Sequence, residues 1–209
     1  MEDLDLWDYR RRVAEIYRTV RASREPEGAW TEWRERRDQL FLEHPQSPLS
    51  AEQKAAFTGL DYFPYDPAWR YETTVKPVDS HDERIEHSST GSTTFRRFCA
   101  VETPSGMLVL YWLESYGGGV FLPFRDATSG LNTYGGGRFL LDTAKGADLG
   151  HQGERIVLDF NFAYHPSCFH HWRWSCPLAP AENRLVASVT AGERGTVNYA
   201  GAEGLGHRE

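Results

Sequence analysis

The sequence predicts a mainly β protein: an antiparallel β-barrel or strongly bent sandwich with an α-helical N-terminal segment. Three observations lead there. Apolar residues in the first quarter of the chain fall at helical spacing. From about residue 84 onward, short β-prone runs recur between turn residues. Between and after them, LDYFPYDPAWRYE and CPLAPAENRL hold prolines that fix extended crossing segments.

Val13, Ile16, Tyr17 and Val20 sit at i, i+3, i+4 and i+7, with Leu6 and Tyr9 extending the stripe backward. Arg10, Arg11, Arg12 and Glu15 form the charged outer face of this helix. Residues 23–28 contain Pro26 and read as a break, with a second helix from about Thr31 carrying Trp30, Trp33, Leu40 and Phe41 on one side. HPQSPLS interrupts it, and Ser50 with Gln53 makes a capping box that opens a short third helix through Phe57. The tryptophans here serve as packing anchors. In residues 60–72, Pro64 and Pro67 preclude a regular helix, and the aromatics need a surface to bury against, so the segment reads as a strap over the following sheet. Strands are expected at 84–87, 94–102, 107–114, 120–124, 138–142, 155–161 and 184–189. Residues 1–59 are thus a helical segment packed on the barrel, and 60–199 an antiparallel β domain with a central pocket, together one structural domain. Residues 200–209 read as a loose tail.

Composition narrows the function classes. Of 209 residues, 40% are hydrophobic and 13% aromatic, which supports a core and excludes a disordered segment. A net charge of −7 argues against a nucleic-acid partner. No apolar run reaches a membrane span, and the first twenty residues lack a signal-peptide core, so a cytoplasmic protein is expected. Three cysteines are too few for a disulfide scaffold of this size. The expected partner is a small-molecule ligand or substrate, and the sequence leaves room for a homodimer.

Chemistry concentrates in residues 116–142, where two three-glycine runs bracket Arg125, Asp126, Thr128, Ser129, Asn132, Thr133 and Tyr134, with Arg138 following. A phosphate loop is rejected: there is no Gly-Lys-Ser/Thr, and no helix follows to present its amides. In LDFNFAY, strand alternation puts Leu158, Phe160 and Phe162 on one face, and Asp159 and Asn161 on the other, toward a lumen or solvent. The leading expectation is a small-molecule enzyme without organic cofactor, working by hydrolysis, elimination, isomerisation or cyclisation. Arg138 would grip an anionic group. Asp126 or Asp159, with Tyr134, would move a proton, while Ser129, Thr133, Asn161 and Tyr164 would line the substrate. Arg138 suits equally well a structural ion pair with Asp126 or Asp159.

The aromatics Phe121, Phe124, Tyr134, Phe160, Phe162 and Tyr164 support an alternative, a non-catalytic barrel that binds a ligand. The loop HPSCFHHWRWSC adds another, a zinc protein using Cys168, Cys176 and histidine, although its spacing lacks paired ligand elements, so no metal is assigned. The same two cysteines suit plain buried thiols or a disulfide. Cys168 also suits a nucleophile served by His165 or His170.

YFPYDP, FLPFRDATSGLNTYGGGRFLLD, LDFNFAYHPSC and CPLAPAENRL together resemble one family of prokaryotic proteins of about two hundred residues, the 1684 family of domains of unknown function. The likeness runs from about residue 4 to residue 192. It carries onto Asp126, Thr128, Ser129, Gly130, Thr133, Tyr134, Gly137 and Arg138, and onto Asp159, Asn161, Tyr164, Pro166, Cys168, Cys176, Pro177 and Asn183. His165 stands where the family usually has asparagine, and the His170-His171 pair is particular to this chain, which weakens a zinc site that needs those histidines. The resemblance implies a mostly β fold and brings no activity.

Overall fold

The helical stripe of the N-terminal residues folds as α1 (Glu2–Ala22), with Glu2, Asp3 and Asp5 in its first turn and Arg21 in its last, each complementing the helix dipole. α2 (Pro26–Glu43) begins at Pro26 rather than after it, because a proline in the first turn lacks only an N–H that would have no partner there. Its buried face carries Trp30, Trp33, Arg37, Leu40 and Phe41. The capping box opens α3 (Ala51–Ala55): Gln53 N–H donates to Ser50 Oγ at 3.1 Å, and Ser50 N–H to Gln53 Oε1 at 2.7 Å. The structure is a computed structural model describing residues 2–195, so the tail expected at 200–209 lies outside the described residues.

Nine strands follow among the described residues: β1 (Arg70–Thr74), β2 (Lys76–Pro77), β3 (Asp82–Glu86), β4 (Ser92–Thr103), β5 (Gly106–Leu113), β6 (Val120–Phe124), β7 (Arg138–Asp142), β8 (His151–Gln152) and β9 (Arg155–Asp159). They make two antiparallel sheets, one in the order β2-β4-β5-β6-β7 with β3 also beside β4, the other β1-β9-β8. Neither closes on itself, so the sandwich-like arrangement holds and the barrel does not. A register shift at Arg97/Cys99 interrupts the pairing of β4 with β5, and β2 and β3 pair with successive parts of β4. Val101, Leu108, Leu122 and Leu140 of the large sheet pack with Leu158 of β9 and with Phe160 in one fully buried core.

Two expected strands change character. No strand forms over 184–189: only a parallel bridge joins Arg125 to Arg184. The buried Asn183 side chain takes the sheet's hydrogen bonds instead, accepting from Val109 N–H at 2.8 Å and donating to the carbonyls of Val109 and Pro123, both at 2.8 Å. The run 155–161 stops at Asp159, whose Oδ1 accepts Asn161 N–H at 3.0 Å and caps a 3₁₀ turn, Phe160–Phe162. Strand alternation therefore ends before Asn161, and Phe160, Asn161 and Phe162 are all buried. The end of the expected strap is itself a strand, β1, paired with β9.

Arg138 ties the large sheet to the C-terminal segment. Its guanidinium is 1% exposed and donates through Nη2 to Asp126 Oδ2 at 2.7 Å and Val189 O at 2.9 Å, and through Nη1 to the carbonyls of Ala191 and Glu193. Asp126 accepts in addition from Thr128 N–H and Oγ–H and from Val189 N–H. Thr128 Oγ lies 2.9 Å from Thr133 Oγ, and Asp126 N–H donates to Ser129 Oγ at 3.1 Å, so residues 126–133 wrap around the carboxylate. Gly137 precedes the arginine with φ +97°, and a Cβ there would stand 2.6 Å from Phe124 O, which restricts the position to glycine. Arg138→Met strands a buried carboxylate and is expected to destabilise the fold by about 3–5 kcal/mol. The urea midpoint measures this, and a midpoint equal to that of the unmodified chain would show that the pair holds nothing together.

Candidate functional site

α1 and α2 lie against the sheets through rings. Trp33 meets Phe162 at 5.1 Å, Tyr62 at 5.6 Å and Tyr17 at 6.2 Å between centroids. Two polar pins cross the same boundary. Trp30 Nε1–H donates to Asn161 O at 2.9 Å. Glu193, 1% exposed, accepts through Oε2 from Arg37 Nη2 at 2.8 Å and from His165 N–H at 3.0 Å. The Arg37 guanidinium also lies over the rings of Trp33 at 4.7 Å and Tyr164 at 5.0 Å. Burial alone would raise the pKa of Glu193. The charge of Arg37 and the nearby His165 and His170 outweigh it and hold the carboxyl well below the usual range.

Two histidines of the 165–171 loop, His165 and His170, face this pin. Tyr134 N–H donates to His165 Nε2 at 3.2 Å, which places the ring proton on Nδ1, 3.5 Å from Glu193 Oε1. Burial pushes His165 down to about 4, so the imidazole is neutral. His170 Nε2 also points at Glu193 Oε1, at 3.4 Å. His165 is thus engaged by Glu193 and by a backbone amide, and His170 by Glu193. Among the described residues, no group of three or more His, Cys, Asp or Glu side chains is arranged to hold a metal ion.

Between α1, α2, β7 and the loop 164–176 lies a chamber of about 280 Å³. Tyr9, Phe139, Tyr164 and Trp174 give it aromatic walls. Arg10, Arg37 and Lys145 line it, and no carboxylate among the described residues does. A second cavity of about 540 Å³ shares Arg10, Phe139 and Lys145 with the first and is walled by the glycine turn 117–119 and Asp142. That turn needs glycine: a Cβ on Gly118, at φ +60°, would stand 2.3 Å from the Trp112 ring. Lys145 bonds Asp142 Oδ2 at 2.8 Å, and with 45% of its side chain exposed its field is partly screened by water.

Cys176 closes one end of the chamber. Its side chain packs in one buried cluster with Cys168 and Tyr134. The neighbouring Cys168 thiol, aided by the Lys145 charge and the amides of Cys168 and Ser167, outweighs burial and holds the Cys176 thiol below its ordinary value. The same contact, with burial, pushes Cys168 up. The two are not joined in a disulfide.

The residues expected to converge on one site are divided between scaffold and cavity. Asp126, Ser129, Thr133 and Arg138 belong to the knot that fastens β7. Arg138 cannot also grip a substrate, because its terminal nitrogens already donate to Asp126 and three carbonyls. Asp159 and Asn161 clamp the strap: Asn161 Oδ1 accepts from Asp66 N–H at 3.0 Å, and its Nδ2 donates to Asp66 O and Asp159 Oδ1, both at 2.8 Å. Asp159 Oδ2 lies 3.7 Å from Arg70, and burial raises the pKa of this carboxyl. Tyr134 stacks edge-on with Phe169 and brings its hydroxyl to 3.8 Å from Cys168 Sγ. Tyr164 alone of these eight lines the chamber. In the sequence Arg10 reads as part of the charged outer face of α1, and neither Arg37 nor Lys145 stands out as a site residue. A usable signal was present for one of them: Arg37 falls four residues from both Trp33 and Phe41, on the apolar face of α2.

Residues 55–194 match the model of a family described as "Protein of unknown function (DUF1684)". The chain belongs to the DUF1684 family. The match covers the sheets, the strap, Cys168, Cys176 and Glu193, and leaves out α1 and α2. This DUF1684 chain is also similar to the solution NMR structure of an uncharacterized protein from gene locus rrnAC0354 of Haloarcula marismortui. The two share 36% identity over 78% of this chain and 90% of that one, with a TM-score of 0.53. Among curated proteins none matches.

Glu193 has a folded pKa below its unfolded value of 4.5, so its stabilisation is complete above that value and is lost as pH falls toward the folded one. Glu193→Gln is therefore expected to be less stable at neutral pH and to lose less stability on acidification than the unmodified protein. Acid titration of unfolding free energies, followed by tryptophan fluorescence, measures both. Parallel acid slopes for the two proteins would contradict the assignment.

Proposed function

We propose that this DUF1684 protein binds a small organic anion with a flat, apolar body in the chamber beneath α1. One observation carries the reading: three cations and no carboxylate line the chamber of a chain whose net charge is −7. Arg37 and Lys145 already pair with Glu193 and Asp142 behind the wall, so the charge left to meet an anion is chiefly that of Arg10, which has no ion pair among the described residues. The rings of Tyr9, Phe139, Tyr164 and Trp174 supply the apolar contact, and the volume suits a small ligand. Tyr17, whose hydroxyl makes no hydrogen bond among the described residues, adds a polar group to the same wall. This reading keeps the expected anionic ligand and moves it from Arg138 to Arg10, Arg37 and Lys145. It assigns no proton transfer to Asp126 or Asp159. A cytoplasmic setting belongs to the same proposal, supported by the low cysteine content.

Calorimetry with aryl carboxylates, their neutral amides and the matching aryl amines tests it. The carboxylates are expected to bind and the amines not. Replacing Arg10 and Lys145 together by alanine is expected to weaken carboxylate binding about tenfold, or about 1.4 kcal/mol. Amides binding as well as the acids, or no binding by any carboxylate, would contradict the proposal.

A further inference from the structure

We propose that Cys176 and Cys168 form a dithiol centre that reduces small hydroperoxides entering through the chamber, with Cys176 attacking and Cys168 resolving. This goes beyond anion binding and does not require it, since a hydroperoxide is neutral.

The geometry supplies each part. Cys176 lines the chamber, so a small molecule inside lies against this residue. Cys168 packs in the same buried cluster as Cys176, so the second thiol is held in the neighbourhood of the first. The backbone around Cys176 is pinned: Cys176 N–H donates to Ser88 Oγ at 3.2 Å, and Ser88 N–H to Cys176 O at 2.9 Å. Cys168 sits on the short helix Ser167–His170 (α4) and is itself buried. Among the groups near Cys176, Lys145 brings positive charge with Asp142 against it at 2.8 Å, while the neighbouring Cys168 thiol and Tyr134 hydroxyl are pushed up and stay neutral. Both cysteines are only 6% exposed, so a bulky protein disulfide cannot reach them, whereas a small peroxide in the chamber can.

The atoms balance as follows. The Cys176 thiolate attacks the terminal oxygen of ROOH; a sulfur–oxygen bond forms, the oxygen–oxygen bond breaks, and RO⁻ takes a proton from the Lys145 ammonium, which solvent restores. Cys176 is now a sulfenic acid, oxidised by two electrons, and the peroxide is an alcohol, reduced by two. The Cys168 sulfur then attacks the Cys176 sulfur. Its proton leaves with the displaced hydroxide as water, and a disulfide closes. A low-molecular-weight dithiol returns two electrons and two protons by thiol–disulfide exchange.

The lowered pKa fits this role. A thiol held below its ordinary value is more ionised at neutral pH, and the thiolate is the form that attacks. Cys99 is a built-in control: it is buried in β4, its thiol is pushed up to about 11, and it lines neither cavity.

The test treats the reduced chain with one equivalent of tert-butyl hydroperoxide and reads thiols by intact mass and peptide mapping. The expected product is lighter by two hydrogens, with a Cys168–Cys176 bridge and Cys99 still a thiol. Cys168→Ala should stop at a Cys176 sulfenic acid that dimedone traps. Its alkylation by iodoacetamide should show a pH midpoint above that of the unmodified protein, as should Lys145→Ala. Circular dichroism confirms that each variant is folded. Absence of the bridge, Cys99 reacting as fast as Cys176, or an unmoved midpoint in both variants would overturn the proposal. Bridge formation without any carboxylate binding would leave the dithiol standing and remove the anion reading; carboxylate binding without a bridge would do the reverse.

Discussion

Glu193 carries a charge in the interior, where a carboxylate is tolerated only if donors surround it. Arg37 reaches it from α2, the His165 amide reaches it from the loop after β9, and two imidazoles flank its other oxygen. The carbonyls of the residues just before it are held from the opposite side by Arg138. The segment 189–193 therefore works as a staple, gripped by the large sheet through one arginine and by the helices through another. Breaking either contact leaves a buried charge without its partner, which is more damaging than losing a surface pair.

The chamber follows from that docking. α1 and α2 meet the sheets along the rings of Tyr17, Trp33, Tyr62 and Phe162, and beside this seam the walls diverge around Phe139 and Tyr164. Side chains from α1, from α2 and from the turn after β7 bring positive charge to the opening, while the loop carrying Cys176 forms the far wall. No single stretch of chain contains the site. It exists only while the helical layer is in place, which couples stability to whatever the chamber does.

Much of the fold was legible because its signals are local. The α1 stripe and the Ser50/Gln53 box depend on spacing alone, and the strand positions from 94 to 142 depend on short alternating runs between turns. The failures occur where a side chain replaces a ladder. Asn183 takes sheet hydrogen bonds that a strand at 184–189 would have made, and Asp159 turns its own chain into a 3₁₀ cap. The candidate site was harder to see. The cluster of Asp126, Thr128, Ser129 and Arg138 is conspicuous in sequence, but polar residues that saturate one another look the same on paper as polar residues that await a ligand. The cations of the chamber lie at positions 10, 37 and 145, and only long-range packing brings them together.

Hydrogen exchange by mass spectrometry on Arg37→Met addresses the docking most directly. With Glu193 left without its arginine, amides of α1 and α2 are expected to exchange faster while those of β5 and β6 keep their protection, because the sheet core does not depend on the helices. Unchanged exchange in the helices, or an equal loss across helices and sheet, would mean that the Arg37–Glu193 contact is not what holds the layers together.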